Sequence, residues 1–342
     1  MMKSVLFCNL PYAFGILKPL AKALQQKGFT YIWYVPKEIE DSFDIDDKYT
    51  TSIKELEEFQ SDAIFVPGNS VPYWLRGVKV QVFHGLAGEK KGHFRIRDYF
   101  DLYLTQGPYF TDRFNQLKQK HKNFEVTQTG WCKLDNLFVT SDKTLQSKNK
   151  LLQDTQANNI ILYAPTFSPS LTSAYKLQEH ILKLSQEENN IVIIKFHDKT
   201  AQDIVESYQQ IQNDKLIILT DKDITPALQM ADLMISDTSS VVYEFLLLNK
   251  PVITLNSHSE HINWADFQSV DLLYQEAIDT LRGIDRYKSQ RDKVISLYHP
   301  YSDGKSSYRM IDATQQYISS FGIPTKRKLP LLRKLKNLKE YR

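Results

Sequence analysis

Two histidines follow apolar runs of the chain, at places where they could do chemistry. His84 comes directly after the run 78–83, and His197 comes directly after the run 191–196. Imidazole is the side chain best suited to take a proton from a hydroxyl near neutral pH. A single histidine in such a place can equally well hydrogen-bond a loop, but two at equivalent places favour a functional pair. Gly85, next to His84, permits a tight turn or a close backbone approach.

Three consecutive hydroxyl residues form a second pattern. Thr238, Ser239 and Ser240 stand between the apolar run 233–235 and the helical pattern 241–248. The start of a helix offers free N–H groups and a dipole that favours an anion. Capping a helix needs only one such hydroxyl, so three favour phosphate binding. Glu244, one turn further along, is placed to accept hydrogen bonds from a ribose.

Three lysines lie near these patterns and could meet a phosphate. Lys90 and Lys91 come shortly after Gly85, and Lys305 lies in the turn 303–309, which opens another helical pattern. Adjacent lysines are more often part of a solvated loop, and the turn by itself is an ordinary helix start. These three lysines therefore indicate phosphate binding only in combination with the other segments.

Metal binding is the least supported chemistry. The segments 44–46 and 221–223 match a D-x-D pattern, but both are interpreted as solvated loops. No cluster of His, Cys and carboxylate residues has metal-ligand spacing. We expect neither a metal nor any other cofactor.

Short apolar runs alternate with helical patterns along the chain, which is typical of parallel α/β sheets. The first series of predicted strands is 4–9, 31–35, 63–66, 78–83, 102–104 and 126–129, and the second is 160–164, 191–196, 216–219, 233–235 and 252–255. A polar segment, 141–159, is interpreted as a helix or linker between them. Open parallel sheets bind ligands beyond the carboxyl ends of their strands, where the histidines and hydroxyls fall.

The predicted fold class is α/β, with two doubly wound Rossmann-like domains facing each other across a cleft, as in the glycosyltransferase-B (GT-B) arrangement. We expect one Rossmann-like domain at residues 1–145, a second at 146–322 and a basic tail at 323–342. One large sheet would need about ten parallel strands and is disfavoured.

Composition excludes several classes of protein. The chain has 342 residues, of which 42% are hydrophobic, and only two cysteines, Cys8 and Cys132. Two cysteines cannot build a disulfide framework, which favours a reducing cytoplasm. No segment is long and apolar enough to span a membrane. Ser4–Leu17 fits a strand, a turn and a helix better than a signal peptide.

The C-terminal tail carries a local excess of positive charge. Residues 326–342 hold eight basic residues and one acidic residue, whereas the net charge of the whole chain is +3. Because the excess is not spread over a face, it does not indicate nucleic-acid binding. Apolar residues recur at helical spacing after Pro330, from Leu331 to Tyr341, opposite basic ones. Such a helix either docks on the protein or lies on an anionic membrane, and the charge favours the membrane.

Six segments, taken in order, resemble the CDP-glycerol glycerophosphotransferase family of teichoic-acid and capsule synthesis. They run from about residue 80 to about residue 317, roughly two thirds of the chain. The segments are His84-Gly85 with Lys90-Lys91-Gly92, Gly130–Asp135, Ile161–Thr166, Lys195-Phe196-His197, Asp232–Ser240 with Lys250-Pro251, and Asp303–Ser307. The chain departs from the family at Leu86-Ala87, Cys132-Lys133, Phe167-Ser168 and Asp198.

This resemblance implies transfer of glycerol phosphate, or a related polyol phosphate, from a CDP-activated donor to a hydroxyl of a surface-glycan precursor, with release of CMP. His84 would be the base, and His197, Ser239, Ser240 and Lys305 would hold the diphosphate. The remaining assignments place Lys195, Pro165, Thr166, Thr238 and Glu244 with the donor, and Gly85, Lys90, Lys91, Lys133 and Asp135 with phosphate or acceptor.

The implied partners are CDP-glycerol or another nucleotide-activated donor, a lipid-linked acceptor and an anionic membrane surface reached through the tail. The protein would then be cytoplasmic and peripheral on the inner face of the membrane. Two alternatives stay open: a GT-B glycosyltransferase that uses a nucleotide sugar, and a non-catalytic binding subunit of a polysaccharide assembly complex.

Overall fold

The computed structural model describes residues 2–86, 92–221, 223–259, 262–325, 327 and 329–342. The chain divides into two compact units. Unit 1 comprises residues 1–136 and 297–342, and unit 2 comprises residues 137–296.

Unit 1 is built on a parallel seven-stranded sheet. Its strands are β1 (Lys3–Phe7), β2 (Thr30–Tyr34), β3 (Tyr49–Thr50), β4 (Ala63–Val66), β5 (Val78–Gln81), β6 (Leu102–Thr105) and β7 (Glu125–Gln128), in the order β3-β2-β1-β4-β5-β6-β7. Apolar side chains bury both faces of β4, as expected of a central parallel strand. The order reverses between β1 and β4, so the crevice for a ligand is expected at their carboxyl ends.

The helices α1 (Tyr12–Gln26), α2 (Ile53–Phe59) and α3 (Pro108–His121) connect these strands. Two short 3-10 helices also belong to the chain, at Lys37–Ser42 and Cys132–Leu137.

Unit 2 repeats the plan with a parallel six-stranded sheet. Its strands are β8 (Asn159–Tyr163), β9 (Asn190–Ile194), β10 (Leu216–Ile218), β11 (Leu233–Ser236), β12 (Val252–Leu255) and β13 (Ala265–Phe267), in the order β10-β9-β8-β11-β12-β13. Its helices are α4 (Asp142–Thr155), α5 (Ala174–Gln186), α6 (Gln202–Gln209), α7 (Thr225–Met230), α8 (Val241–Leu246), α9 (Val270–Leu281) and α10 (Lys288–Tyr298), the last ending just inside unit 1. The order reverses between β8 and β11.

The expected α/β class with two doubly wound Rossmann-like sheets is confirmed, and the predicted strands match the observed ones within about two residues. The strands β3 and β13 were not predicted. The segment 141–159 forms α4, which starts at Ser141, whose hydroxyl accepts a hydrogen bond from the backbone N–H of Thr144 at 3.2 Å.

The expected domain boundaries differ from the observed ones. Residues 297–322 were assigned to the second domain, but they belong to unit 1. The cause is α11 (Ser306–Phe321), whose buried side chains, such as Met310 and Ile311, pack it against α1, β5 and β6. The chain therefore returns to its first domain after completing the second.

The tail forms the predicted helix, α12 (Leu331–Tyr341), which packs on unit 1. Asn337 is fully buried, with its Oδ1 accepting from the Tyr73 N–H at 3.0 Å and its Nδ2 donating to the Val71 carbonyl at 3.2 Å. Tyr341 lies edge-on to Phe7 at 5.7 Å. Within the part of the chain that the structure describes, every helix is too short or too polar to cross a membrane.

Candidate active site

The His84 imidazole lies just beyond the carboxyl end of β5 and is exposed. Its Nδ1 is 3.0 Å from the carbonyl oxygen of Pro67, which follows β4. A carbonyl oxygen can only accept, so Nδ1 carries the proton and donates it to Pro67. Nε2 of the neutral ring then keeps its lone pair. His84 is therefore held in the tautomer that a general base requires.

The backbone before His84 is strained. Phe83 has a φ of 62°, a left-handed conformation that is unusual for an aromatic residue. Its ring stacks on His93 at 5.3 Å and contacts Phe114 at 5.2 Å, which holds the conformation in place. Burial and the nearby His84 lower the pKa of His93 to about 4. Strain of this kind is concentrated at functional sites and here sets the direction of the next side chain.

Three further residues, Asn9, Gly68 and Gln106, lie at the carboxyl edge of the first sheet, and no motif in the sequence predicted them. Asn9 follows β1, and its side chain packs closely against Gly68. A Cβ atom added to this glycine would lie only 2.7 Å from the Asn9 Oδ1, so a larger residue would not fit there without a shift. Gln106, fully buried after β6, donates from Nε2 to the Gly85 carbonyl at 3.1 Å. The only sequence signal was their place after apolar runs.

In unit 2 the switch between β8 and β11 is organised by a carboxylate, Asp237. Its oxygens accept from the Thr166 N–H, the Ser173 N–H and the Ser173 hydroxyl, each at 2.8 Å. Burial raises the pKa of Asp237, while these hydrogen bonds oppose the rise. Asp237 therefore fixes the loop after β8 against the turn after β11. In the sequence, Asp237 lies within the segment Asp232–Ser240 and has no predicted role of its own.

The His197 imidazole is exposed beyond β9 and is held in the opposite tautomer to His84. Its Nδ1 accepts from the Lys199 N–H at 3.1 Å, so Nε2 of the neutral ring carries the proton and can donate. Phe167 lies against the ring at 4.4 Å between centroids. An N–H on this exposed ring can donate to an anionic oxygen but cannot accept a proton from a hydroxyl.

The other predicted donor residues of unit 2 surround the same edge of its sheet. Ser239 and Ser240 lie before α8, and Ser240 makes no side-chain capping hydrogen bond within the described residues. Thr238 accepts at Oγ1 from the His258 N–H at 3.0 Å. Lys195 and Glu244 are half-buried and Pro165 is buried. Since capping does not occupy Ser240, its hydroxyl remains suited to a phosphate.

The segment Gly130–Asp135 differs from expectation at Asp135. This carboxylate is buried, and its two oxygens accept from the N–H groups of Ser306 and Ser307 at 2.7 and 2.8 Å. It therefore caps α11 and is not available to phosphate or acceptor, a correction to its predicted role. The same contact occupies the helix N–H groups beside Lys305, whose own side chain is exposed.

The positions of the remaining predicted lysines do not indicate a phosphate site. The Lys133 ammonium lies 5.4 Å from the centre of the Trp131 ring, a cation–π contact. Lys90 and Lys91 lie outside the described residues. Among the described His, Cys, Asp and Glu side chains, no group of three is arranged to hold a metal ion.

Comparison with known proteins supports a common ancestry. The family profile described as CDP-glycerol:poly(glycerophosphate) glycerophosphotransferase matches residues 25–261. A teichoic acid ribitol-phosphate polymerase of Staphylococcus aureus is 27% identical over 270 residues, covering 68% of this chain and 46% of the polymerase. A teichoic acid glycerol-phosphate primase of Bacillus subtilis is 25% identical over 284 residues, covering 70% and 68%.

Solved structures share the fold. The wall teichoic acid polymerase TagF superposes with a TM-score of 0.61 at 13% identity, covering 93% of this chain and 89% of that one. A putative UDP-N-acetylglucosamine 2-epimerase of Listeria monocytogenes gives 0.67 at 15% identity, covering 96% and 100%.

These likenesses and the paired sheets define an α/β protein of the GT-B-like class. Within that class, the chain belongs to the CDP-glycerol:poly(glycerophosphate) glycerophosphotransferase family. It spans about half the length of the ribitol-phosphate polymerase that it matches.

Proposed function

We propose that the protein transfers glycerol phosphate, or a related polyol phosphate, from a CDP-activated donor to a hydroxyl of a teichoic-acid or capsule precursor. The acceptor oxygen attacks the β-phosphorus, the bond from that phosphorus to the bridging oxygen breaks, and CMP leaves. The attacking hydroxyl loses its proton to the base.

The observation that carries this proposal is that His84, in a chain of this family, is held as the tautomer with its proton on Nδ1. The Pro67 carbonyl holds the proton on Nδ1, so Nε2 is ready to accept one from the acceptor hydroxyl. His197 is suited to binding the diphosphate because its Nε2 carries a proton. A hydrogen bond from this N–H to the diphosphate would stabilise the negative charge that moves onto the leaving CMP.

The donor is proposed to bind at the switch point of unit 2. Thr166 and Thr238 come together there because Asp237 ties both loops to one edge of the sheet. Ser239 and Ser240 add hydroxyls for the diphosphate. Glu244, half-buried and one helical turn after Ser240, would accept hydrogen bonds from the ribose. Cationic and hydrogen-bonding groups of this kind can neutralise a diphosphate, so no metal is invoked.

Product analysis tests this activity. The full chain is incubated with CDP-glycerol, CDP-ribitol and a set of nucleotide sugars, together with a soluble acceptor analogue, and products are identified by mass spectrometry. CMP release with a phosphopolyol added to the acceptor supports the proposal. Transfer of a sugar with nucleoside diphosphate release would establish a glycosyltransferase instead, and tight donor binding without turnover would establish a binding subunit.

We further propose that the acceptor is lipid-linked and that the protein works on the cytoplasmic face of the membrane, attached peripherally through α12. The helix packs on unit 1 by its polar side, through Asn337. This leaves Leu331, Leu332 and Leu335 exposed at 77%, 82% and 63%. Three adjacent exposed leucines on a basic helix are suited to an anionic bilayer surface.

Co-sedimentation with vesicles tests the attachment without removing the helix, which contributes to the packing of unit 1. Replacing Leu331, Leu332 and Leu335 with Ser should abolish most binding to phosphatidylcholine–phosphatidylglycerol vesicles. The matched control replaces three exposed leucines elsewhere, Leu145, Leu272 and Leu297, which should bind as the unmodified chain does. Equal binding by the two triple variants would contradict the attachment.

A further inference from the structure

A cavity of about 430 Å³ lies in unit 1 where α12 meets the loop that follows β4. Its basic lining comes from Arg97, Lys336 and Lys339, and its neutral polar lining from Asn69, Ser70 and Tyr99. Cavities of this size hold small ligands. No part of the transfer site described above uses it.

The charge in this cavity is not balanced by the protein. The one carboxylate in its lining, Glu340, accepts a hydrogen bond from the Ser70 hydroxyl at 2.7 Å. The Arg97 guanidinium donates only to backbone carbonyls, those of Gly92 and Arg95, and no carboxylate of the described residues lies within 4 Å of it. Burial and repulsion from Arg95 and Arg333 lower the pKa of Arg97. Three cations against one anion leave room for an anionic ligand.

The same helix places the exposed leucines beside the cavity lysines. Leu332 and Lys336 are four residues apart, as are Leu335 and Lys339, so each pair lies one turn apart on a shared face. The apolar part of a ligand bound in the cavity would therefore contact these leucines where it extends out of the cavity. This combination of a cationic cavity and adjoining exposed leucines matches a lipid with a phosphate headgroup.

We propose that this cavity binds the phosphate headgroup of an anionic glycerophospholipid, whose acyl chains lie along Leu331, Leu332 and Leu335. The inference rests on the proposed membrane attachment and adds a stoichiometric site to it. General attraction between basic residues and a charged bilayer would need no cavity and would depend on the number of charges alone.

The test compares two triple variants of the full chain that lose the same charge. Arg97→Gln, Lys336→Gln and Lys339→Gln empty the cavity of cations, whereas Lys54→Gln, Lys143→Gln and Lys150→Gln remove exposed lysines elsewhere. With phosphatidylcholine–phosphatidylglycerol vesicles, we expect about tenfold or more weaker binding for the cavity variant, since each basic contact contributes up to about a fivefold factor. The control should change less than about twofold. Equal losses would overturn the proposal.

Soluble probes separate the lipid from free phosphate. Short-chain phosphatidylglycerol below its micelle concentration should bind the unmodified chain, and glycerol 3-phosphate should bind far more weakly. Comparable binding of the two would assign the cavity to a free phosphate and overturn the lipid. If Arg97→Gln disturbs packing, the double variant Lys336→Gln with Lys339→Gln repeats the comparison with Arg97 intact. Turnover of a soluble acceptor by the unmodified chain is measured in parallel, so a failure of the proposed function appears there and not in the lipid data.

Discussion

The carbonyl of Pro67 accepts a hydrogen bond from His84 Nδ1 at 3.0 Å, although the two residues are 17 positions apart and follow different strands. Because β4 and β5 are neighbours in the parallel sheet, their carboxyl ends meet at one edge. The loop that begins at Pro67 continues to Ser70, whose hydroxyl contacts Tyr341 of α12 at 2.8 Å. One short loop thus connects the orientation of the candidate base to the docked tail.

Replacing His84 tests the role of the base directly. His84→Ala should lower kcat by about a hundredfold or more, because general base catalysis contributes about 10²–10⁴-fold, while leaving donor affinity nearly unchanged. Donor affinity is measured by calorimetry and kcat by CMP release. A loss of tenfold or less would remove His84 from this role.

A second substitution separates the base from the hydrogen bond to Pro67. The side-chain amide of His84→Asn places an N–H near the position of Nδ1, so it can still donate to the carbonyl, but it has no basic nitrogen. We expect it to be as inactive as the Ala variant while keeping the thermal stability of the unmodified chain. Recovery of activity in His84→Asn would show that orientation of the loop, and not proton transfer, is what His84 supplies.

His197 should act on binding. His197→Ala is expected to weaken the affinity for the CDP donor by about tenfold or more, because a hydrogen bond to a charged group contributes roughly 1.5–3 kcal/mol. His197→Gln can still offer an N–H near Nε2 and should recover much of the affinity. Ser239→Ala should also weaken binding. Calorimetry showing unchanged affinity in His197→Ala and Ser239→Ala would remove both residues from the diphosphate site.

Apolar runs predicted most of the sheets because the inner strands of a parallel sheet are buried on both faces. The run at 191–194 is entirely Ile and Val, and β9 occupies it. The strand β3 has two residues, and β13 has three residues that are partly buried at Asp266 and Phe267, so neither leaves a run to detect. Their existence follows from pairing with β2 and β12.

Long-range contacts explain what the sequence did not reveal about the site. Asp135 caps a helix whose first residues come 171 positions later, and no local pattern distinguishes this from a ligand-facing aspartate. The division into units has the same origin, since α11 returns to pack on α1, whose partner residues are nearly 300 positions earlier. The two histidines were found because their signal is local: each directly follows a strand.

Removal of metal ions should leave transfer intact. We propose that His197, Ser239 and Ser240 hold the diphosphate, so that hydrogen-bond donors of the chain and a helix start would meet its charge. Activity measured by CMP release in EDTA should stay within about twofold of its value without chelator. Complete loss, restored by Mg²⁺, would point instead to the aspartates at 44–46 or 221–223.

The stability of unit 1 should depend on pH through His299. This side chain is 1% exposed, and its Nε2 accepts from the Trp131 N–H at 2.9 Å, so the neutral ring is the folded form. Burial, aided by repulsion from Arg309, lowers its pKa to about 4, against about 6.5 for an unfolded chain. The unfolded chain therefore binds more protons between these values, and stability falls as the pH drops from about 6.5 to about 4.

The size of this effect is about 3 kcal/mol over the whole window, from about 1.4 kcal/mol per unit of pKa shift. His299→Gln can accept the same hydrogen bond through its amide oxygen but has no proton to gain, so its stability should vary less with pH. Urea unfolding followed by tryptophan fluorescence at pH 7, 6, 5 and 4 measures the difference. His258→Gln, an exposed histidine of unit 2, serves as the control and should keep the slope of the unmodified chain. An unchanged slope in His299→Gln would show that acid acts elsewhere, with His93, a half-buried imidazole whose pKa is also lowered, as the next residue to replace.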